Sequence, residues 1–245
     1  MIGKDMKGST IIHRSATREA VSFPFMKAFH SFRPHLQNDR KHFGTLVAID
    51  DATVLPASKG FGFHSHNNLE VITFLIEGEV NHEDKNVPAH NGTLTGPACQ
   101  LITSGTGIVH NERNNSETEQ FRGLQIWILP RANELTPKYS KKRLSANDHT
   151  NQLELIISPD GENNSLTIQQ DAYIYYGVFN RPEHLQYENK RHGNITYCYV
   201  YRGELETQGT TLRQGDAVGL TNAELLKAHV KTGAEILLFD IPKNN

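Results

Sequence analysis

Gly60-Phe-Gly-Phe-His-Ser-His-Asn-Asn-Leu-Glu70 and, further on, Gly105-Thr-Gly-Ile-Val-His-Asn-Glu112 read together as a metal site carried on β-strands. Residues two apart in an extended strand project from one face, so His64 with His66, and His110 with Glu112, form two pairs of candidate inward-pointing ligands. Glu70 keeps the parity of His64 and His66 and on a regular strand would face inward too. Parity alone leaves the carboxylate open between Glu70 and Glu112.

Imidazole nitrogens and one carboxylate oxygen suit a borderline divalent ion and leave coordination positions for water or substrate, a catalytic rather than a closed structural pattern. Structural zinc sites are usually cysteine-rich, and this chain has only Cys99 and Cys198, far from each other and from the histidines in sequence. With 13 histidines in 245 residues, a lone His-x-His is commonly an ordinary strand. The second pair, set among strand formers and glycine turns, shifts the reading to a site. His35, His42, His82 and His90 lack such a partner and read as surface or core residues.

The set His64-Ser-His66-Asn-Asn-Leu-Glu70, Leu75-Ile-Glu-Gly78, Gly105-Thr-Gly-Ile-Val-His110-Asn-Glu112 and Gly123-Leu-Gln-Ile-Trp127 resembles the pirin family of bicupins. Fainter likeness runs through Phe29-His30-Ser31-Phe32, Leu135-Thr-Pro-Lys-Tyr139 and Leu237-Leu-Phe-Asp-Ile-Pro242. The resemblance implies one metal held by His64, His66, His110 and Glu112, with Glu70 behind the ligands or facing substrate. It also implies quercetin 2,3-dioxygenase activity, as linked to bacterial members, or transcriptional co-regulation, as linked to animal ones. Ser65, Asn67, Asn68 and Arg113 depart from the usual pattern. They remove no ligand.

The balance of 25 basic and 27 acidic residues offers no polycation for nucleic acid. No apolar run approaches membrane-spanning length, and the start, Met1-Ile-Gly-Lys-Asp-Met-Lys-Gly, lacks the apolar stretch of a signal peptide. A cytoplasmic protein is expected, and two scattered cysteines suit a reducing compartment.

Short β-rich runs, such as Gly44 to Ile49, Leu69 to Ile76, Gly123 to Leu129 and Leu153 to Ile157, are broken by Gly, Pro and Asn turns, as antiparallel barrels require. Only Asn222 to Val230 reads equally as helix or strand. Phe74-Leu-Ile-Glu-Gly-Glu-Val80 is echoed by Tyr199-Val-Tyr-Arg-Gly-Glu-Leu205, and the spacing from Gly96 to His110 recurs from Gly215 to His229. The expected fold is therefore all-β: a bicupin of two antiparallel jelly-roll barrels, with an N-terminal lobe over 1–130, a connection over 131–152 and a C-terminal lobe over 153–245. Aligned on Gly78 and Gly203, the second lobe carries Asn189, Arg191 and Lys231 in place of His64, His66 and Glu112 and reads as metal-free. Lys138, Lys141, Lys142 and Arg143 read as a solvated face of the connection.

Gly105-x-Gly107 lacks the third glycine of a dinucleotide fingerprint, and no nucleophile elbow or phosphate loop is present. The sequence reading is thus a metal-dependent dioxygenase that takes a flavonol such as quercetin and dioxygen. One divalent transition metal per chain is expected, Fe(II) first, with Ni, Cu, Mn and Zn also compatible, and Glu112 or Glu70 accepts the substrate proton. An enzyme needs an apolar cavity at the metal, here expected from Phe61, Phe63, Leu69 and Phe74. The alternative is a metal- or redox-sensing module acting through a protein partner.

Overall fold

The computed structural model describes residues 9–144, 150–222 and 225–244. The amino-terminal start and parts of the 131–152 and 222–230 segments read above lie outside the described residues. The chain forms two compact units: one of residues 18–145 and 159–170, the other of the described parts of 1–17, 146–158 and 171–245.

In the first unit the main antiparallel sheet runs, in hydrogen-bonded order, β12 (Lys138–Arg143), β9 (Ala98–Thr103), β6 (Glu70–Glu77), β11 (Phe121–Ile128), β4 (Leu46–Val54), β3 (Met26–Phe32) and β2 (Glu19–Phe23). A smaller sheet faces it: β5 (His64–His66), β10 (Ile108–Arg113), β7 (Glu79–Asp84) and β8 (Gly92–Thr95). The short β14 (Leu166–Thr167) belongs to the 159–170 segment. Apolar side chains from both sheets, among them Leu75, Val80, Leu94 and Phe121, pack between them. Full burial of each such side chain stabilises the sandwich by roughly 1.5–3 kcal/mol.

The second unit repeats the plan. Its main sheet contains, in order, β1 (Thr10–His13), β20 (Ala217–Leu220), β17 (Ile195–Arg202), β22 (Ala234–Ile241), β15 (Tyr173–Phe179) and β13 (Glu154–Ser158). Its small sheet is β16 (Glu183–Glu188), β21 (Leu225–Val230), β18 (Glu204–Thr207) and β19 (Thr210–Arg213). The described part of the ambiguous stretch, Leu225–Val230, is thus a strand. The echoed Gly78 and Gly203 sit at the same turn with φ of +82° and +74°. A Cβ there would lie 2.6 Å from the Gln120 carbonyl or 2.7 Å from Ala234 Cα, so each turn demands glycine.

The two-barrel, all-β architecture expected from the sequence is present. The units interleave along the chain, however, rather than dividing at 130 and 152. The supposed connection carries β12, paired along its whole length with β9, and the first strand, β1, pairs with β20 in the second unit. Each added strand covers a sheet edge that would otherwise expose unpaired backbone groups.

Candidate metal centre

In β5 and β10 the antiparallel register sets His64 opposite His110 and His66 opposite Ile108. Alternation then turns His64, His66 and His110 to one side. Their ring centroids lie 4.6–5.0 Å apart, and one nitrogen from each falls within 4.8 Å of the others. His64 Nδ1 donates to the Gly62 carbonyl at 3.0 Å, which leaves its Nε2 lone pair free.

His110 is fully buried, and neither of its ring nitrogens has a hydrogen-bond partner. An uncompensated buried imidazole is costly, and a cation bound by His110 resolves the cost. Burial, reinforced by the neighbouring imidazoles, lowers the pKa of His66 and of His110 to about 4. Both are neutral at pH 7, the state a ligand requires. The residues fit a divalent transition metal.

Glu112, next on the inner face of β10, lies against the main sheet. Its Oε1 accepts from Thr73 Oγ1 at 2.9 Å and from Gln100, and its Oε2 accepts from Gln125 Nε2 at 2.7 Å. Burial pushes its pKa up, but the His82 and His110 imidazoles and the Thr73 hydroxyl prevail and hold it at about 2. The geometry therefore yields two triads that share His110: His64–His66–His110 and His82–His110–Glu112.

His82, which the sequence reading gave a surface or core role, is a finding of the structure. It stands opposite Glu112 in the β7–β10 register, is 1 % exposed, and has both ring nitrogens without a hydrogen-bond partner. Its Nδ1 lies 4.0 Å from Glu112 Oε1 and its ring 5.1 Å from that of His110. The available signal was its parity with Val80 and Asp84, both buried, in an alternating strand.

Glu70 is not brought to the cluster. Asn68, with φ of +51°, turns the chain between β5 and β6 and breaks the parity that linked Glu70 to the histidines. On β6 it is Thr73 that reaches Glu112, so Glu70 occupies the opposite face. There it accepts from Thr103 Oγ1 at 2.9 Å and from the Gln169 backbone N–H, fully buried, with its other oxygen unpartnered. Burial raises its pKa to about 7.

A cavity of about 700 Å³ opens onto the centre. Its wall is a graded surface built from cross-strand rows of β3, β4 and β11: bulky Met26, Val54 and Phe121, then small Ala28, Ala52 and Gly123, then polar His30, Asp50 and Gln125. Phe61 and Leu69 line it as expected. Phe63 is about half exposed and Phe74 lies on the Glu70 face of β6, and neither contributes. Trp127 completes the wall, its ring edge-on to His66 at 5.3 Å.

Residues 9–128 match the family model for pirin, and residues 155–241 match that for the quercetinase C-terminal cupin domain. The chain belongs to the pirin family. A relative from Escherichia coli K12 named quercetin 2,3-dioxygenase is 30 % identical over 233 residues, spanning 94 % of this chain and 98 % of the relative. The crystal structure of the pirin YhhW from E. coli superposes with a TM-score of 0.89 at 26 % identity, covering 97 % of this pirin and 100 % of that chain. A second structure of YhhW, in complex with nickel(II), gives 0.88 at 26 % identity, covering 96 % and 100 %.

The second unit of this pirin differs at the matching positions. Counted from the shared Gly78/Gly203 turn, His82 matches Thr207, and cross-strand register then sets Ala228, Leu226, Tyr187 and Asn189 where the first unit has Glu112, His110, His64 and His66. Tyr187, Leu226 and Ala228 belong to one apolar core. The sequence alignment that chose Asn189 and Arg191 was displaced by two residues, because the connection from β16 to β17 is longer than that from β5 to β6. His229 points away from the core, stacked on His184 at 4.7 Å, with Lys231 Nζ 3.4 Å from its Nδ1.

Proposed function

We propose that this pirin holds one divalent transition-metal ion in its first unit through His64, His66, His110 and Glu112, and that it cleaves the heterocyclic ring of a flavonol such as quercetin with dioxygen. The observation that carries the reading is three converging imidazoles, with unpartnered buried nitrogens on His110, at one end of a cavity of about 700 Å³ walled by aromatic and small apolar side chains. Iron(II) is the first choice. Nickel, copper, manganese and zinc share the ligand chemistry. The second unit, with Tyr187, Leu226 and Ala228 where the first has His64, His110 and Glu112, is metal-free scaffold.

A dication beside a single carboxylate keeps net positive charge and supplies Lewis acidity, and in a redox-active ion electron transfer too, to a hydroxyl-bearing ligand. The side chains do the rest. Glu112, clamped by Thr73, Gln100 and Gln125, keeps a fixed negative charge at the cavity wall. It is the one of the two expected bases that reaches the cavity. With a pKa near 2 it takes a proton reluctantly, so an already acidic substrate hydroxyl is favoured. His66 and Trp127, set edge to face, orient a planar ring.

The test is isotopic. Metal-loaded protein given quercetin under oxygen-18 gas should yield a product carrying both atoms of one dioxygen molecule. No incorporation with any of the five metals would overturn the dioxygenase reading and favour a metal- or redox-sensing module that works through a protein partner.

A further inference from the structure

Arg33 lines the same cavity and has no part in the metal centre. Its Nε donates to Asp50 Oδ1 at 3.0 Å, a terminal nitrogen donates to Asp50 Oδ2, and its guanidinium carbon stands 4.2 Å from the centre of the Trp127 ring. Asp50, only 4 % exposed, also accepts from His30 Nδ1 at 2.5 Å. A fork held on both carboxylate oxygens and laid over an indole face has little freedom left. Its remaining N–H groups are therefore aimed before a ligand arrives.

The position is informative. Trp127 touches His66 as well as Arg33, so the cation sits one side chain away from the imidazole cluster. The row Ala28–Ala52–Gly123 forms a trough across three strands, bordered two residues away, about 7 Å, by the bulky apolar row on one side and by His30, Asp50 and Gln125 on the other. Asp50 accepts from His30 Nδ1, and the other ring nitrogen, Nε2, lies 4.0 Å from Glu19 Oε2.

We propose that Arg33, fixed by Asp50 and Trp127, recognises the ionised oxygen of a planar hydroxyaromatic ligand lying along this trough, and so selects acidic hydroxyaromatics over neutral ones. The flavonol reading supplies the name of the ligand, and the inference rests on it to that extent. A neutral aromatic gains the trough alone. A phenolate or enolate gains in addition a charge-assisted hydrogen bond.

The chain has one tryptophan, Trp127, and it lines the cavity, so quenching of its fluorescence reports binding. Quercetin and unsubstituted flavone are titrated into metal-loaded wild type, Arg33→Met and Arg33→Lys, with metal content and melting midpoint checked for each. Arg33→Met should weaken quercetin about tenfold or more and leave flavone nearly unchanged, while Arg33→Lys, which keeps the charge but not the fork, restores part of the loss. Equal weakening of both ligands, or no change in either, overturns the proposal. Arg33-dependent quercetin binding without oxygen incorporation would sink the dioxygenase reading and leave this inference standing. Wild-type affinity and turnover in Arg33→Met would do the reverse.

Discussion

Gln125 donates a 2.7 Å hydrogen bond to Glu112 Oε2, joining the main sheet of the first unit to the strand that carries two of the proposed ligands. It belongs to a polar row that crosses five strands, His30, Asp50, Gln125, Thr73 and Gln100, in direct register. Three members of that row bond Glu112. The carboxylate is aimed by the sheet behind it.

Replacing Gln125 by Leu should therefore loosen Glu112 without touching a ligand. Loss of one hydrogen bond to a charged group, about 1.5–3 kcal/mol, predicts roughly ten- to a hundredfold weaker metal retention, read by competition with a chelating dye. Unchanged affinity would show that Glu112 is aimed by something else.

Histidine substitutions separate the units. Elemental analysis should find His110→Ala empty of metal and His229→Ala fully loaded, since His229 faces away from its own core. His82→Phe should retain metal less tightly than wild type, because His82 stands between Glu112 and His110. Equal losses in His110→Ala and His229→Ala would defeat the single-site account.

Filling the trough should block ligand and spare metal. Ala52→Phe places a ring between Ala28 and Gly123. Overpacking there costs about 1–3 kcal/mol of stability. Quercetin should no longer quench Trp127, at unchanged metal content; retained quenching would move the binding site elsewhere.

Glu70 predicts a pH dependence of stability. Its folded pKa is raised by burial from 4.5 to about 7. Below the unfolded value it is protonated in both states and costs nothing. As pH rises through about 7 the folded state must bury the charge, and stability is lost. Glu70→Gln should accordingly melt higher than wild type at pH 8.5, by on the order of 5 °C, with the gap closing by pH 4. A gap independent of pH would contradict the assignment.

The histidines of the centre were legible because alternation within a strand is local, and two His/Glu pairs two apart need no knowledge of the sheet. What escaped is what depends on turns and on pairing between distant strands. Asn68 reverses the parity that would have made Glu70 a ligand. His82 acquires its place only when β7 pairs with β10, and the His30–Asp50–Gln125 row exists only when three distant segments come into register. The counterparts in the second unit were displaced by the same cause. Counting back from Gly203 crosses a connection longer than the one before Gly78, and cross-strand register replaces Asn189 and Arg191 by Tyr187 and Asn189.

The most direct measurement is oxygen uptake by the reconstituted protein. Purified without oxygen and loaded in turn with iron, nickel, copper, manganese or zinc, wild type and His110→Ala are mixed with quercetin in an oxygen electrode while flavonol absorbance is followed. The account predicts that wild type with at least one redox-active metal consumes dioxygen in step with loss of quercetin absorbance, and that His110→Ala does neither. Uptake that survives in His110→Ala, or none in wild type with any metal, would contradict it.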